Sequence, residues 1–230
     1  MRNEAPKPQE QPSALRRRLF RGVTGGVGVL MTVQAKTALG AICASPSAIL
    51  SGNTSPRIPT GITCSGGLSP GFWKVPQHDG SWPPAGATFP QFTNPVLTCQ
   101  SGMKGLTLAA LKPGFPGTTL ESAGFIGGAP SGTGIWAILA FPGSFSGGQL
   151  LRHLACAWLN AGYFQSTAAK YPLSRAQIIQ MWDQTKSGGL YCPTGCTPAN
   201  GWTPQQVINY ISGMYDLNAS AGDPDLCTQN

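Results

Sequence analysis

His153, Cys156 and Asn160 bring the residue types of a thiol-protease centre within two helical turns of one another. In such a centre a thiolate attacks a carbonyl carbon, an imidazole carries the proton, and an amide orients the imidazole. A productive site, however, draws these groups from separate elements around a cleft that also supplies oxyanion donors. A single helix surface supplies none. The expected roles are therefore structural: Cys156 in a disulfide, His153 on the surface or against a loop, Asn160 near a helix end.

Three other chemistries have weaker support. Cys192-Pro-Thr-Gly-Cys196 could start a zinc site, but structural zinc needs four closely paired ligands, and His78 and His153 are far away in the chain. No metal and no cofactor is expected. A glycosidase needs two carboxyl groups across a cleft; Glu121 with Asp79 or Asp183 is the available pair, since Asp216, Asp223 and Asp225 crowd the C-terminus. A secreted hydrolase using His153 or these sparse acids is the alternative reading. Gly143-Ser-Phe-Ser-Gly147 and Gly128-Ala-Pro-Ser-Gly132 have the wrong serine spacing for a nucleophile elbow.

The aromatic residues between Cys64 and Cys99 are a better lead for binding. Phe72, Trp73, Trp82 and Phe92 lie in a Pro-rich stretch without helical or strand periodicity. Exposed flat rings stack on sugar faces, and Lys74 could add a hydrogen bond or a cation–π contact. Phe72, Trp73, Lys74 and Trp82 are therefore the candidate ligand-binding residues. The competing expectation is that these rings form a satellite core beneath the loops.

Positioning falls to the cysteines and the helices. Arg16-Arg17-Arg18 and Arg21 precede Gly22 to Val33, a short apolar run without charge, which is the layout of an export signal. Gln34 and Lys36 interrupt it well short of the ~20 apolar residues a membrane span needs, so no stable anchor is expected. Cleavage after Ala35, Gly40 or Ala44 suits the small residues there. Ala44 is favoured because it removes Cys43 and leaves Cys64, Cys99, Cys156, Cys192, Cys196 and Cys227, an even set for a disulfide framework in an oxidising compartment. Their pairing is open, with Cys192 and Cys196 expected to bond elsewhere rather than to each other. Seven of the fifteen Lys and Arg residues and two of the eight acids precede Ala44. The remaining balance of eight bases against six acids gives no argument for nucleic acid or an anionic membrane.

The chain divides into an export leader (1–44), a Ser/Pro/Gly/Thr linker (45–61) and one secreted domain (62–230). Within the domain a loop-rich aromatic lobe (62–102) precedes a mainly helical part (103–230). Leu151, Leu154, Ala155, Trp158 and Leu159 recur as one buried stripe of a helix over 148–162. Ser174 with Gln177 forms a capping box, stapled by Leu173 against Ile178. Thr203-Pro204 with Gln206 starts another helix, with Val207, Ile208, Ile211, Met214 and Tyr215 inside. The fold class is mainly α: a small core of three or more amphipathic helices beside a disulfide-stapled, Gly/Pro-rich irregular lobe.

Cys64-Ser-Gly-Gly-Leu-Ser-Pro-Gly-Phe-Trp-Lys74, the block Leu150 to Ala161 and Tyr171-Pro-Leu-Ser174 together resemble a family of secreted, mostly bacterial proteins. Its pattern runs Cys, then Pro-Gly-[Tyr/Phe]-Trp-Lys-Asn-His-Pro. The resemblance spans roughly 64–186 and implies an exported, helical, disulfide-bonded protein, with no activity assigned to the family. Val75-Pro76-Gln77-His78 departs from the Asn-His-Pro step, and Cys156 stands where a small apolar residue is expected. The expected function is a secreted, non-catalytic structural or adhesive protein, whose partner is an extracellular glycan or cell-envelope component.

Overall fold

Eleven of the sixteen residues from Gly148 to Tyr163 are buried, nine of them apolar or small and the other two Cys156 and Asn160, so this helix lies inside the protein rather than on it. The computed structural model describes residues 45–50, 63–94, 106–193 and 196–215, all within the compact unit Ala35–Asn230. The expected leader, Cys43, Cys99, Cys227 and most of the expected linker lie outside the described residues. The linker's first residues instead form a short helix, α1 (Pro46–Leu50), and Ile49 packs against the core.

The described chain is helix-rich. Strand β1 (Thr63–Cys64) leads into α2 (Pro70–Lys74), capped by the Ser69 hydroxyl, and a 3-10 turn over Pro76–Ser81. Just before Leu111 the chain makes a 3-10 turn, Leu108–Ala110. Helix α3 (Ile135–Ala140) is apolar and wholly interior apart from its last residue. The central helix α4 (Gly148–Tyr163) follows, then strand β2 (Ala169–Lys170), α5 (Arg175–Thr185) and α6 (Pro204–Met214). Helices α3, α5 and α6 all pack on α4. Strands β1 and β2 pair in parallel, Thr63 opposite Ala169 and Cys64 opposite Lys170. No helix among the described residues is long and apolar enough to cross a membrane.

Local signals place the outer helices as expected. Both α5 and α6 start at complete capping boxes, Ser174 with Gln177 and Thr203 with Gln206. Each box satisfies two backbone donors that a helix start leaves open. The single-stripe expectation for α4 fails, because the face opposite Leu151 and Trp158 is covered by the loop ahead of α2.

The cysteine pairing also departs from expectation. Cys192 and Cys196 bond to each other, with Cα atoms 5.5 Å apart, inside the range a disulfide spans. A turn brings them together: Cys196 N–H donates to Pro193 O at 3.0 Å, and the Cys192 N–H is held by Gln184 Oε1 at 2.7 Å. The antiparallel bridge between Tyr191 and Trp202 closes the same connection between α5 and α6. Cys64 is also disulfide-bonded. Cys156 is a free, buried thiol.

Because the Cys192–Cys196 loop is short, the entropy it removes from the unfolded chain is small. Replacing both cysteines with serine should cost about 2 kcal/mol, read as a Tm lowered by roughly 4–8 °C. An unchanged Tm by calorimetry would show the bond to be mechanically idle.

Candidate functional site

Asn160 is fully buried on α4, and its amide reaches across to the loop ahead of α2. Oδ1 accepts the Leu68 N–H at 2.9 Å and the Trp73 indole N–H at 3.0 Å; Nδ2 donates to Leu68 O at 2.9 Å. The side chain thus pairs with both backbone groups of Leu68, as a neighbouring strand would. Gly67 makes the approach possible: its φ is +82°, and a Cβ there would lie 2.5 Å from Asn160 Nδ2. Any other residue would be strained and would push the amide away.

Cys156, one turn earlier, joins the same contact. Its thiol donates to Leu68 O at 3.1 Å, with Asn160 Nδ2 at 3.7 Å from the sulfur. The thiol is wholly buried, and burial raises its pKa above the ordinary thiol range despite the opposing Tyr215 hydroxyl and Arg152 charge. The expected disulfide at Cys156 is therefore corrected: the sulfur serves as a buried hydrogen-bond donor. His153 is not its base. His153 Nδ1 lies 2.8 Å from the Tyr215 hydroxyl, with the two rings nearly parallel. Burial and then the Arg152 charge lower the imidazole pKa. Tyr171 is packed beside Asn160 without a hydrogen bond of normal geometry to its hydroxyl, and burial raises its pKa strongly. A thiol held protonated, enclosed and aimed at a backbone carbonyl cannot serve as a nucleophile.

The aromatic lobe is interior. Trp73 and Trp82 are both 0% exposed, so neither offers a face to a ligand, and the stacking platform expected from them is corrected. Their rings meet edge to face at 6.2 Å; Trp73 also meets Tyr163 of α4, and Trp82 meets Phe89. Such pairs favour packing beyond plain burial. Indole N–H groups fasten the lobe, Trp82 to Trp73 O at 3.2 Å and Trp136 to Lys74 O at 2.8 Å, and Trp182 holds Ile126 O at 3.1 Å elsewhere in the core. Phe72 and Lys74 are half-buried, Phe72 stacked on His78 at 3.9 Å. On the other side of α4, Arg175 lies over the Trp158 ring and donates to the carbonyls of Trp158 and Ala85.

The sparse acids are engaged locally. Glu121 Oε2 accepts the Gly132 N–H at 3.0 Å, Asp183 pairs with Lys186 at 2.9 Å one turn along α5, and Asp79 sits in the 3-10 turn. Among the described residues no group of three or more His, Cys, Asp or Glu side chains could hold a metal ion.

One surface feature escaped the sequence reading. A groove of about 260 Å³ runs between residues 88–91 and 114–118, with Phe89 and the exposed Phe115 among its walls. The two segments are stitched by Gln91 N–H to Phe115 O, Lys112 N–H to Gln91 O and Thr118 N–H to Thr88 O. Lys112-Pro113-Gly114-Phe115 was a visible turn signal, but nothing in the sequence says which loop it faces.

Replacing Asn160 with leucine strands the Leu68 N–H and the Trp73 indole in the interior and takes one donor from Leu68 O. We expect a loss of about 3–5 kcal/mol in urea unfolding; a loss below ~1 kcal/mol would mean that the clasp is not holding the lobe. The titrations work in opposite directions. The fold keeps Cys156 protonated while the unfolded chain releases that proton above ~pH 8.5, so stability falls as pH rises from there. The fold keeps His153 neutral while the unfolded chain takes up a proton below ~pH 6.5, so stability also falls toward acid. Urea midpoints should therefore peak between these values, and Cys156→Ser should flatten the alkaline limb until the tyrosines begin to titrate. An identical alkaline limb in the variant would rule the thiol out as its source. Set against known proteins, the chain matches no family model, no curated protein and no solved structure.

Proposed function

We propose that this chain is an exported, non-catalytic structural or adhesive protein that works at the cell envelope. The observation that carries this reading is the fate of the one reactive-looking constellation. Cys156 and Asn160 are spent on bracing a loop against a helix and His153 is turned to Tyr215, with the sulfur kept protonated and enclosed. The bonded state of Cys192, Cys196 and Cys64 supports an oxidising destination, as does the basic flank and apolar run before Gln34.

The free thiol changes the cysteine arithmetic. Of the seven cysteines, removing Cys156 leaves six only if Cys43 is retained. A fully paired framework then favours processing after Ala35 or Gly40 over Ala44. Ile49 packing on the core supports a domain that begins before the expected linker ends.

Two measurements test the reading. Intact mass of the exported protein, alkylated after denaturation with and without reduction, should give a start at Lys36 or Ala41 and a single alkylated thiol before reduction. The purified protein should sediment with isolated cell envelopes. Recovery only from the cytosol with all thiols free, or failure to sediment, would refute it.

A further inference from the structure

We infer that the Phe115 groove binds one ring of an acidic polysaccharide, which rests on the envelope reading above and gives it a site. The display is built into the backbone. Lys112-Pro113-Gly114-Phe115 forms a tight turn, with Phe115 N–H donating to Lys112 O at 3.0 Å and Gly114 at φ +79°. Proline second and a positive-φ glycine third are the type II signature. The first and fourth residues of such a turn are brought close, and here the Lys112 ammonium lies 4.5 Å from the Phe115 ring centroid. The opposing loop locks the turn: Gly117 has φ +74°, and a Cβ there would collide with Thr88 O. Beneath it Phe89 packs edge-on against Trp82 and Trp136 of the core.

Each wall has a chemical use. Phe115 is 46% exposed, the most open aromatic ring given among the described residues for an apolar sugar face. Lys112 Nζ also reaches Gln91 Oε1 at 3.3 Å, which fixes the cation at the groove's edge and leaves the amide's N–H donors for a hydroxyl or carboxylate. None of the eight lining residues is acidic, so the ammonium has no competing counter-charge among them. The Thr88 N–H is already taken by the Thr118 hydroxyl oxygen at 2.7 Å, which keeps that hydroxyl's proton available. The volume of about 260 Å³ falls below the ~300–1,000 Å³ of pockets that enclose a whole small molecule. It suits one unit of a longer chain running across the surface. Because the turn is already rigid, little ordering cost attends binding.

The test titrates the full exported protein with oligogalacturonate, and with cello-oligosaccharide as the uncharged control. Wild type should bind oligogalacturonate more tightly than the control, with affinity falling as salt rises. Phe115→Ala should weaken binding by about tenfold and Lys112→Gln by about fivefold, both with an unchanged Tm. No binding by wild type, equal affinity for the neutral control, or undiminished binding in both variants would overturn the assignment. Envelope sedimentation of Phe115→Ala separates the two levels: retained sedimentation with lost oligosaccharide binding removes the groove as the envelope contact and leaves the envelope reading standing.

Discussion

The pairing of the Asn160 side chain with both backbone groups of Leu68 is the constraint on which the rest of the structure depends. An irregular loop cannot enter a protein interior unless its amide and carbonyl groups find partners there. Here one carboxamide supplies both partners and takes the Trp73 indole as well. With Leu68 fixed, α2 starts at a defined place, and Trp73 and Trp82 can stand edge to face between the loop and the helices. The interior hydrogen bonds of the other indoles repeat the device: an aromatic ring supplies apolar area and its N–H satisfies one main-chain carbonyl, at the end of α2 or in a loop. A Pro- and Gly-rich segment with no regular structure of its own thus becomes part of the core.

That solution explains why the sulfur chemistry is silent. Leu68 O has capacity for a second donor, and Cys156 fills it from one turn earlier on α4. A thiol is small enough for the crowded contact and a weak enough donor to be buried at low cost. The same enclosure that makes the contact dry holds the proton on the sulfur. His153 turns to Tyr215, so the base-and-nucleophile pairing suggested by residue types never forms. Residues of catalytic type at helical spacing are here answers to a packing problem.

The sequence disclosed what is encoded within a turn or two of chain. Ser174 with Gln177, Thr203 with Gln206 and Pro204 at a first helical position mark helix starts through neighbours three residues apart, and both helices begin where those signals stand. The apolar run from Ile135 fits helix and strand equally as sequence, because a fully buried segment shows no period to read. What could not be read was long-range. Leu68 and Asn160 are 92 positions apart, and no local pattern announces that a loop will cover the second face of α4. Without that contact, Cys156 reads as half of a disulfide, and Trp73 fits an exposed ring as well as a satellite core. Cys192 and Cys196 were misjudged for the opposite reason, since their turn is local but its closure depends on Gln184 reaching back to hold Cys192.

A contact that joins such distant residues carries a heavy closure cost during folding, since the intervening chain must be restricted before the amide is rewarded. The position of Cys64 bears on that cost. It lies three residues before Gly67 and pairs through β1 with Lys170 on β2, directly beyond the end of α4. The Ser65 N–H to Lys170 O bond, at 2.9 Å, continues the same alignment toward the clasp. Cys64 is itself disulfide-bonded, and its strand pairing holds the loop beside the point where Asn160 captures it. Strand pairing and buried hydrogen bonding thus act on neighbouring residues of one loop: the first sets its alignment beside α4, and the second gives its backbone the partners it needs inside the core.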